Sequence, residues 1–201
     1  MKENDAILTK VCIFTNDNFS VNINNPKRLS MKTLFINRHA KSSWKFENLN
    51  DFDRPLNNRG NKAAAFLAKK LKDRNEEFDL IVTSPANRAI STAEYFAKEF
   101  SYDHSLIEEA HSMYHADHGT MLNIIDNMPD DFHKVMIFGH NPGLTNLANV
   151  LTGDTLGNIP TCGIIKINFD VDTWQEVAPG TGTMEFFDYP KRYKEMQLIE
   201  D

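Results

Sequence analysis

The 201-residue sequence has only two cysteines, no long apolar run and no excess of basic residues. Cys12 and Cys162 are far apart and in no metal-ligand spacing, which predicts two free thiols in a reducing compartment. No apolar run reaches the length that spans a bilayer, and the N-terminus lacks the apolar core of a secretory signal. We therefore expect a cytoplasmic protein without a membrane partner.

The charge balance is acidic, with 28 Asp and Glu against 22 Lys and Arg and a formal net charge of −6. Such a chain has no broad basic footprint for nucleic acid, so a nucleic-acid partner is not expected. A phosphate site in this protein would have to be a local basic pocket. The length and the 41% hydrophobic fraction fit one ordinary domain.

The first 30 residues differ in composition from the rest, because repeated asparagines interrupt them and only residues 11–14 resemble a strand. We interpret residues 1–30 as an N-terminal extension or as an overlong start before Met31. Residues 31–201 are then predicted to form a single domain.

Apolar runs alternate with segments of helical periodicity along this domain. Strands are predicted at residues 33–37, 79–83, 105–107, 134–138, 162–169 and 174–177. Helices are predicted from about residue 59, capped by Asn57 or Asn58, and at residues 86–100, 120–128 and 144–151. The alternation predicts an α/β fold with a mainly parallel sheet and helices on both faces. The last two strands are expected to form an antiparallel edge hairpin.

Cationic side chains follow three of the predicted strands. Arg38 and His39 end the first, Arg88 lies near the start of the helix after the second, and His140 follows the fourth. The carboxyl ends of parallel strands share one edge of a sheet, so these residues are expected to meet there. Arginine binds phosphate oxygens, imidazole can attack phosphorus, and a helix start favours anions. Arg88 alone equally fits a solvated helix position, and Arg54 a surface charge or a loop anchor.

Taken together, these motifs resemble the histidine phosphatase superfamily, also called phosphoglycerate-mutase-like. The resemblance covers roughly residues 31–190. It rests on Arg38-His39-Ala40, Ser84-Pro85 with Arg88 and Thr92-Ala93, and Gly139-His140-Asn141-Pro142. Two motifs resemble, more narrowly, the SixA-type phosphohistidine phosphatase branch of this superfamily. They are Arg38-His39-Ala40-Lys41-Ser42 and Arg54-Pro55-Leu56 with Arg59-Gly60. This implies the three-layer sandwich of that family for a single catalytic domain.

The resemblance also implies a role for each matching residue. His39 would be the nucleophile that is transiently phosphorylated, Arg38 and Arg88 would clamp the phosphoryl oxygens, and His140 would complete the pocket. Neighbouring guanidiniums are expected to hold His39 neutral and nucleophilic. The implied reaction needs no metal or other cofactor. Its substrate would be phosphohistidine in a partner protein or a small phosphorylated metabolite.

The group that protonates the leaving group is less well defined. In many relatives a carboxylate lies just beyond the strand that follows the Arg88-type helix. Glu109 is our prediction for this acid. Glu108, His115 and Asp117 are rivals in the same segment, and a solvated acidic turn explains these residues equally well.

Three further functions stay open at this stage, of which a mutase with the same chemistry is disfavoured because the chain has no long insertion to shield a phosphoenzyme from water. His111, His115 and His118 have spacings that also suit a metal-dependent hydrolase, although a solvated loop near the pocket accounts for them more simply. A phosphate-binding module without turnover is the other alternative. The presence of both His39 and His140 counts against it, since arginines alone suffice for binding.

Overall fold

The computed structural model describes residues 31–46 and 48–198, and the predicted N-terminal extension, residues 1–30, lies outside that part of the chain. One six-stranded sheet has the order β3-β2-β4-β1-β5-β6. Strands β1 to β4 pair in parallel, and β5 and β6 run antiparallel at one edge. This confirms the predicted mainly parallel sheet with an antiparallel edge hairpin. The strands are β1 (Lys32–Arg38), β2 (Leu80–Thr83), β3 (Glu108–Glu109), β4 (Lys134–Gly139), β5 (Ile164–Phe169) and β6 (Gly182–Asp188).

Helices cover both faces of the sheet. They are α1 (Asn58–Asp73), α2 (Asn87–Phe100), α3 (His118–Asp126), α4 (Gly143–Thr152) and the short α5 (Lys194–Gln197). Because side chains alternate along a strand, Phe35 packs in the core shared with α1 and α2, whereas Ile36 packs in the core shared with α3 and α4. The result is the predicted three-layer sandwich.

The start of α1 is held against the segment that follows β1. Asn57 caps the helix by accepting a hydrogen bond from the Gly60 backbone N–H. A Cβ at Gly60 would lie only 2.1 Å from the carbonyl oxygen of Lys41, so a larger residue would push this segment away. Glycine at this position therefore allows the chain just after His39 to approach α1 closely.

Two predicted strands are wrong. Residues 105–107 overlap a 3-10 turn at His104–Leu106, because Asp103 caps the turn by accepting from the Ser105 backbone, and the edge strand follows as β3. Residues 174–177 likewise overlap a 3-10 turn at Trp174–Glu176, capped by a reciprocal Thr173–Glu176 box. The apolar signal there reflects burial of the Trp174 side chain, and the hairpin partner of β5 is β6.

Within residues 31–46 and 48–198, no helix is both long and apolar enough to cross a membrane.

Candidate active site

Three neighbouring strands deliver the predicted cationic residues to one edge of the sheet. Arg38 ends β1 opposite Gly139 at the end of β4, and the backbone N–H of His39 donates to the Gly139 carbonyl at 3.1 Å. Next to β4, strand β2 leads into α2, which carries Arg88. The imidazole centroids of His39 and His140 are 5.0 Å apart. The structure thus brings together Arg38, His39, Arg88 and His140.

The His39 ring is held in one tautomer. Its Nδ1 lies 2.8 Å from the carbonyl oxygen of Ala40, and since a carbonyl only accepts, Nδ1 carries the hydrogen. Nε2 is then left with its lone pair, toward which the Arg88 Nε–H points at 3.4 Å. The backbone of Ala40 is fixed in turn by a hydrogen bond to the Thr92 hydroxyl. The ring therefore presents Nε2 as a nucleophile.

His39 is also held neutral. Burial is the largest cause that lowers its pKa to about 4, and the charges of Arg88, Arg38 and Arg54 lower it further against the opposing hydrogen bond to Ala40. The guanidiniums predicted from the sequence to have this effect are thus assisted by a larger contribution from burial. A neutral imidazole near physiological pH is the form that can attack phosphorus.

His140 is a second neutral imidazole with a donor facing the site. Burial and the nearby His39 and Arg88 lower its pKa to about 3. Its Nε2 lies 2.8 Å from the Ser84 hydroxyl, which also accepts from the Ala86 backbone N–H. We assign Ser84 as the donor in this contact, which places the single ring hydrogen on Nδ1. That buried Nδ1 has no hydrogen-bond partner among the described residues.

Three guanidiniums surround these rings. Arg88 and Arg54 are 3% and 7% exposed, and Arg38 is half-buried with its Nη1 donating to the Ile159 carbonyl at 2.7 Å. Arg38 Nε and Arg54 Nη1 are buried without a partner in the described part of the chain. Together with His140 Nδ1 they form a set of buried donors of the kind that binds an oxyanion.

Of the two environments predicted for Arg54, the surface charge is wrong and the loop anchor is confirmed. Its guanidinium is buried beside Arg88, and both contact Asp51 in the loop after β1. The signal for its role was its place in the motif that resembles the SixA-type branch. Asp51 itself carried no motif signal.

Asp51 connects the guanidiniums to the loop around the site. Its Oδ1 accepts from Arg54 Nε at 3.1 Å, and its Oδ2 accepts from Arg88 Nη2 at 3.0 Å and from the Tyr114 hydroxyl at 2.9 Å. Burial alone raises the pKa of this carboxyl, but the Tyr114 hydrogen bond and the charges of Arg88 and Arg54 outweigh it and lower the pKa overall. Asp51 is consequently a carboxylate and not an acid.

We call His39, Arg88 and His140 the floor of the site, and residues 44–46 and 48–51 with Tyr114 and His115 its rim. On the rim, Trp44 covers Arg54, with 3.5 Å between the guanidinium carbon and the ring centroid. A cavity of about 450 Å³ lies beside it, lined by residues 41–46 and 56–58. The other side of the rim packs on α4, because the Ala116 carbonyl lies where a Cβ at Gly143 would sit.

The candidates for the proton-donating acid are placed differently from one another. Glu109, our prediction, and Glu108 are exposed on the edge strand β3, and no hydrogen bond or ion pair in the described chain joins Glu109 to the floor. Asp117 caps α3 by accepting from the Thr120 backbone, which lowers its pKa. His115 lies nearest, with its ring 6.1 Å from that of His140 and Nε2 3.8 Å from Asp51 Oδ2.

The histidine-rich segment was also considered as a metal site. His111 begins a 3-10 turn, His115 has a left-handed backbone with φ 55°, and His118 begins α3. In residues 31–46 and 48–198, no group of three or more His, Cys, Asp and Glu side chains is arranged to hold a metal ion.

Known proteins match this chain in sequence over most of the described residues. Residues 34–134 match the profile of the histidine phosphatase superfamily, branch 1. An uncharacterised chloroplast protein of Arabidopsis thaliana is 28% identical over 165 residues, covering 78% of this chain and 75% of its own. An uncharacterised protein of Mycobacterium tuberculosis is 27% identical and covers 77% of this chain and 99% of its own.

Solved structures extend the similarity to the fold. The proposed phosphohistidine phosphatase SixA of Agrobacterium tumefaciens is 27% identical with a TM-score of 0.67, covering 79% of this chain and 98% of its own. The protein histidine phosphatase SixA complexed with tungstate has a TM-score of 0.69 at 23% identity, covering 80% and 98%. With a matching family profile over half of its length and the fold of the SixA structures, this chain belongs to the histidine phosphatase superfamily.

Proposed function

We propose that this protein is a metal-independent phosphatase that hydrolyses a phosphoryl group through a phosphohistidine intermediate on His39. The observation that carries the proposal is the neutral, buried His39 ring, whose Nδ1–H is bound to the Ala40 carbonyl so that Nε2 is unprotonated and has only the long 3.4 Å contact with Arg88 Nε. The substrate is phosphohistidine in a partner protein or a small phosphomonoester.

The proposed reaction is two displacements at phosphorus. Nε2 of His39 attacks, a P–Nε2 bond forms, and the bond from phosphorus to the leaving group breaks. Water then attacks the same phosphorus, the P–Nε2 bond breaks, and inorganic phosphate leaves with His39 regenerated. The contact between Nδ1–H and Ala40 persists throughout, and it stabilises the positive charge that the ring acquires on phosphorylation.

The cations of the site would stabilise the charge on the transferring group. Arg38, Arg54 and Arg88 surround the nucleophile, and His140 Nδ1–H adds a neutral donor. Preorganised donors of this kind, in a site that is largely closed to water, are among the strongest contributions to catalysis. Residues of this chain thereby supply the charge neutralisation that other phosphatases obtain from metal ions.

The choice between substrates depends on the leaving group. An alkoxide needs a proton from a general acid, whereas the imidazole of phosphohistidine is a far weaker base and leaves more readily. The carboxylate that contacts Arg88 and Arg54 is Asp51, whose pKa is lowered. We therefore favour the phosphohistidine of a protein over an alkyl phosphomonoester, in keeping with the names of the SixA structures. For an alkyl phosphomonoester, Glu109 and His115 remain our proposals for the acid that protonates the leaving group.

The test is hydrolysis by the wild type and by His39→Ala, with a chelator present. The substrates are para-nitrophenyl phosphate and a protein phosphorylated on histidine. We expect chelator-resistant turnover, acid-labile phosphate trapped on the wild type, and a loss of at least about 1,000-fold in the variant. His104→Ala is the matched control, because His104 is exposed in the turn before β3.

Three other outcomes would contradict the proposed mechanism. Full activity of His39→Ala would show that another residue attacks, and loss of wild-type activity on chelation would reopen the metal-dependent alternative. Binding of inorganic phosphate without any turnover by the wild type would favour the binding module.

A further inference from the structure

Both carboxylate oxygens and the backbone carbonyl oxygen of Asp51 accept hydrogen bonds from the arginines of the site. Its two carboxylate oxygens divide between the guanidiniums, Oδ1 toward Arg54 and Oδ2 toward Arg88 and Tyr114. Its backbone carbonyl accepts a second hydrogen bond from Arg88, through Nη1. Asp51 therefore binds Arg88 at two points and Arg54 through two nitrogens, which fixes the planes of both groups.

Asp51 leaves free an Arg88 donor that lies beside His39 and an Arg54 donor that is buried without a partner in the described part of the chain. A guanidinium has five N–H groups. On Arg88, one hydrogen of each Nη is taken by Asp51, while Nε points at the His39 nucleophile at 3.4 Å. On Arg54, Nε and Nη2 contact Asp51, while the buried Nη1 has no partner among the described residues.

We propose that Asp51 is a positioning residue, which aims Arg88 and Arg54 at the phosphoryl group that is transferred to His39. The inference rests on the phosphatase function proposed above. It goes beyond that function because Asp51 touches neither His39 nor His140 and lies in a loop that no sequence motif singled out. Its effect on catalysis is exerted through the two arginines.

A second interpretation uses the same contacts in the opposite sense. A carboxylate between two phosphate-binding arginines could be a resident anion that the substrate must displace. The remaining donors argue against it, because both Nη atoms of Arg88 and Nη1 of Arg54 keep hydrogens for a phosphoryl group while Asp51 stays bound. The two interpretations predict opposite changes in the affinity for inorganic phosphate when the charge of Asp51 is removed.

A third interpretation is purely structural. The side chains of Arg54 and Arg88 are only 9% and 4% exposed, so each needs a counter-charge, and Asp51 supplies it. If Asp51 is only a counter-charge, removing its charge should make the protein less stable but leave the kcat of the folded molecules unchanged. Positioning predicts that a folded variant is catalytically impaired.

The experiment compares Asp51→Asn with Asp53→Asn, a matched control two residues away whose exposed side chain accepts from Asn50. Both variants are assayed with para-nitrophenyl phosphate at a temperature where circular dichroism shows each to be folded. We expect Asp51→Asn to lower kcat about 10- to 100-fold and to slow formation of the acid-labile phosphoenzyme, with a smaller change in KM. Asp53→Asn should match the wild type.

Calorimetric titration with inorganic phosphate separates the interpretations. Positioning predicts affinity equal to or weaker than the wild type in Asp51→Asn, whereas tighter binding would overturn it in favour of a resident anion. A folded Asp51→Asn with wild-type kcat would overturn it in favour of a structural counter-charge. If the wild type itself has no turnover, it is the proposed function that fails.

Tyr114→Phe decides the matter if Asp51→Asn does not fold. It removes one hydrogen bond to Oδ2 and keeps every charge and the aromatic ring. The expected result is a loss of about 2- to 5-fold in kcat with phosphoenzyme formation slowed in parallel. An unchanged rate would overturn the inference.

Discussion

The floor and the rim of this active site differ in burial and in what holds them. His39, Arg88 and His140 of the floor are 9%, 3% and 5% exposed and come from strand ends or the first turn of a helix. On the rim, Trp44 and Phe46 are 74% and 54% exposed and belong to a loop. The difference teaches that the sheet fixes the position of the floor, whereas the exposed side chains of the rim are free to vary, except where Asp51 and Tyr114 bind the arginines.

Arg88→Ala should show the largest effect of the changes that test this comparison. It removes a buried guanidinium aimed at His39, and we expect kcat on para-nitrophenyl phosphate to fall about 100- to 1,000-fold. Steady-state kinetics with Lys98→Ala as control measure it, because Lys98 is an exposed cation on the same helix. Equal losses in both variants would mean that the general charge of α2, rather than the floor, is responsible.

Ser84→Ala tests whether the floor depends on a fixed tautomer of His140. Without the hydroxyl at 2.8 Å, Nε2 loses its donor and the Nδ1 hydrogen is no longer held in place. We expect a decrease of about 10- to 30-fold in kcat, the equivalent of one buried hydrogen bond. Ser91→Ala, which alters a hydroxyl on the outer part of α2, should have no effect, and an active Ser84→Ala would show that His140 needs no orientation.

The pH dependence tests burial of the floor. In the proposed mechanism His39 attacks only when it is neutral, so activity should rise with pH through the pKa of His39 and be constant above it. With that pKa at about 4, kcat/KM should change about tenfold between about pH 3 and about pH 5 and little above that. If kcat/KM instead changed with pH near the ordinary histidine pKa, the result would contradict a buried His39 with a lowered pKa.

The lowered pKa values of His39 and His140 also reduce the free energy of unfolding at acidic pH. His39 and His140 bind protons in the unfolded chain at a higher pH than in the folded one, so the free energy of unfolding falls as the pH drops from the unfolded pKa toward the folded values. The profile should therefore be recorded well below the melting temperature, with urea unfolding at each pH as the check.

Phe46→Ala should have the smallest effect and only on a large substrate. An exposed aromatic side chain near the pocket is a suitable contact for a partner protein, so we expect KM for a phosphohistidine-bearing protein to rise about 3- to 10-fold. KM for para-nitrophenyl phosphate should not change. Leu106→Ala, an exposed apolar residue in the turn before β3, is the control. A change with the small substrate would place Phe46 in the chemistry rather than in recognition.

The sequence and the structure agree best where local signals are strong. The buried strands of the sheet are continuous apolar runs, and the strand-to-helix junctions could be ordered along one edge because parallel strands share it. The two wrong strands were short segments in which side-chain caps, at Asp103 and at Thr173 with Glu176, outweighed an apolar pattern. Such caps depend on a few atoms, and an apolar period of three or four residues does not reveal them.

The sequence by itself determined which cationic residues meet at one edge of the sheet, because Arg38, His39 and His140 follow apolar runs that form adjacent parallel strands and Arg88 lies in the first turn of the helix after a third. Only the tertiary structure decided that Arg54 is buried, that Asp51 binds it together with Arg88, and that Glu109 is exposed on an edge strand. The reason is physical. Strand order fixes where a strand end lies, but the path of a loop depends on the long-range contacts that hold it, and those are absent from any local pattern.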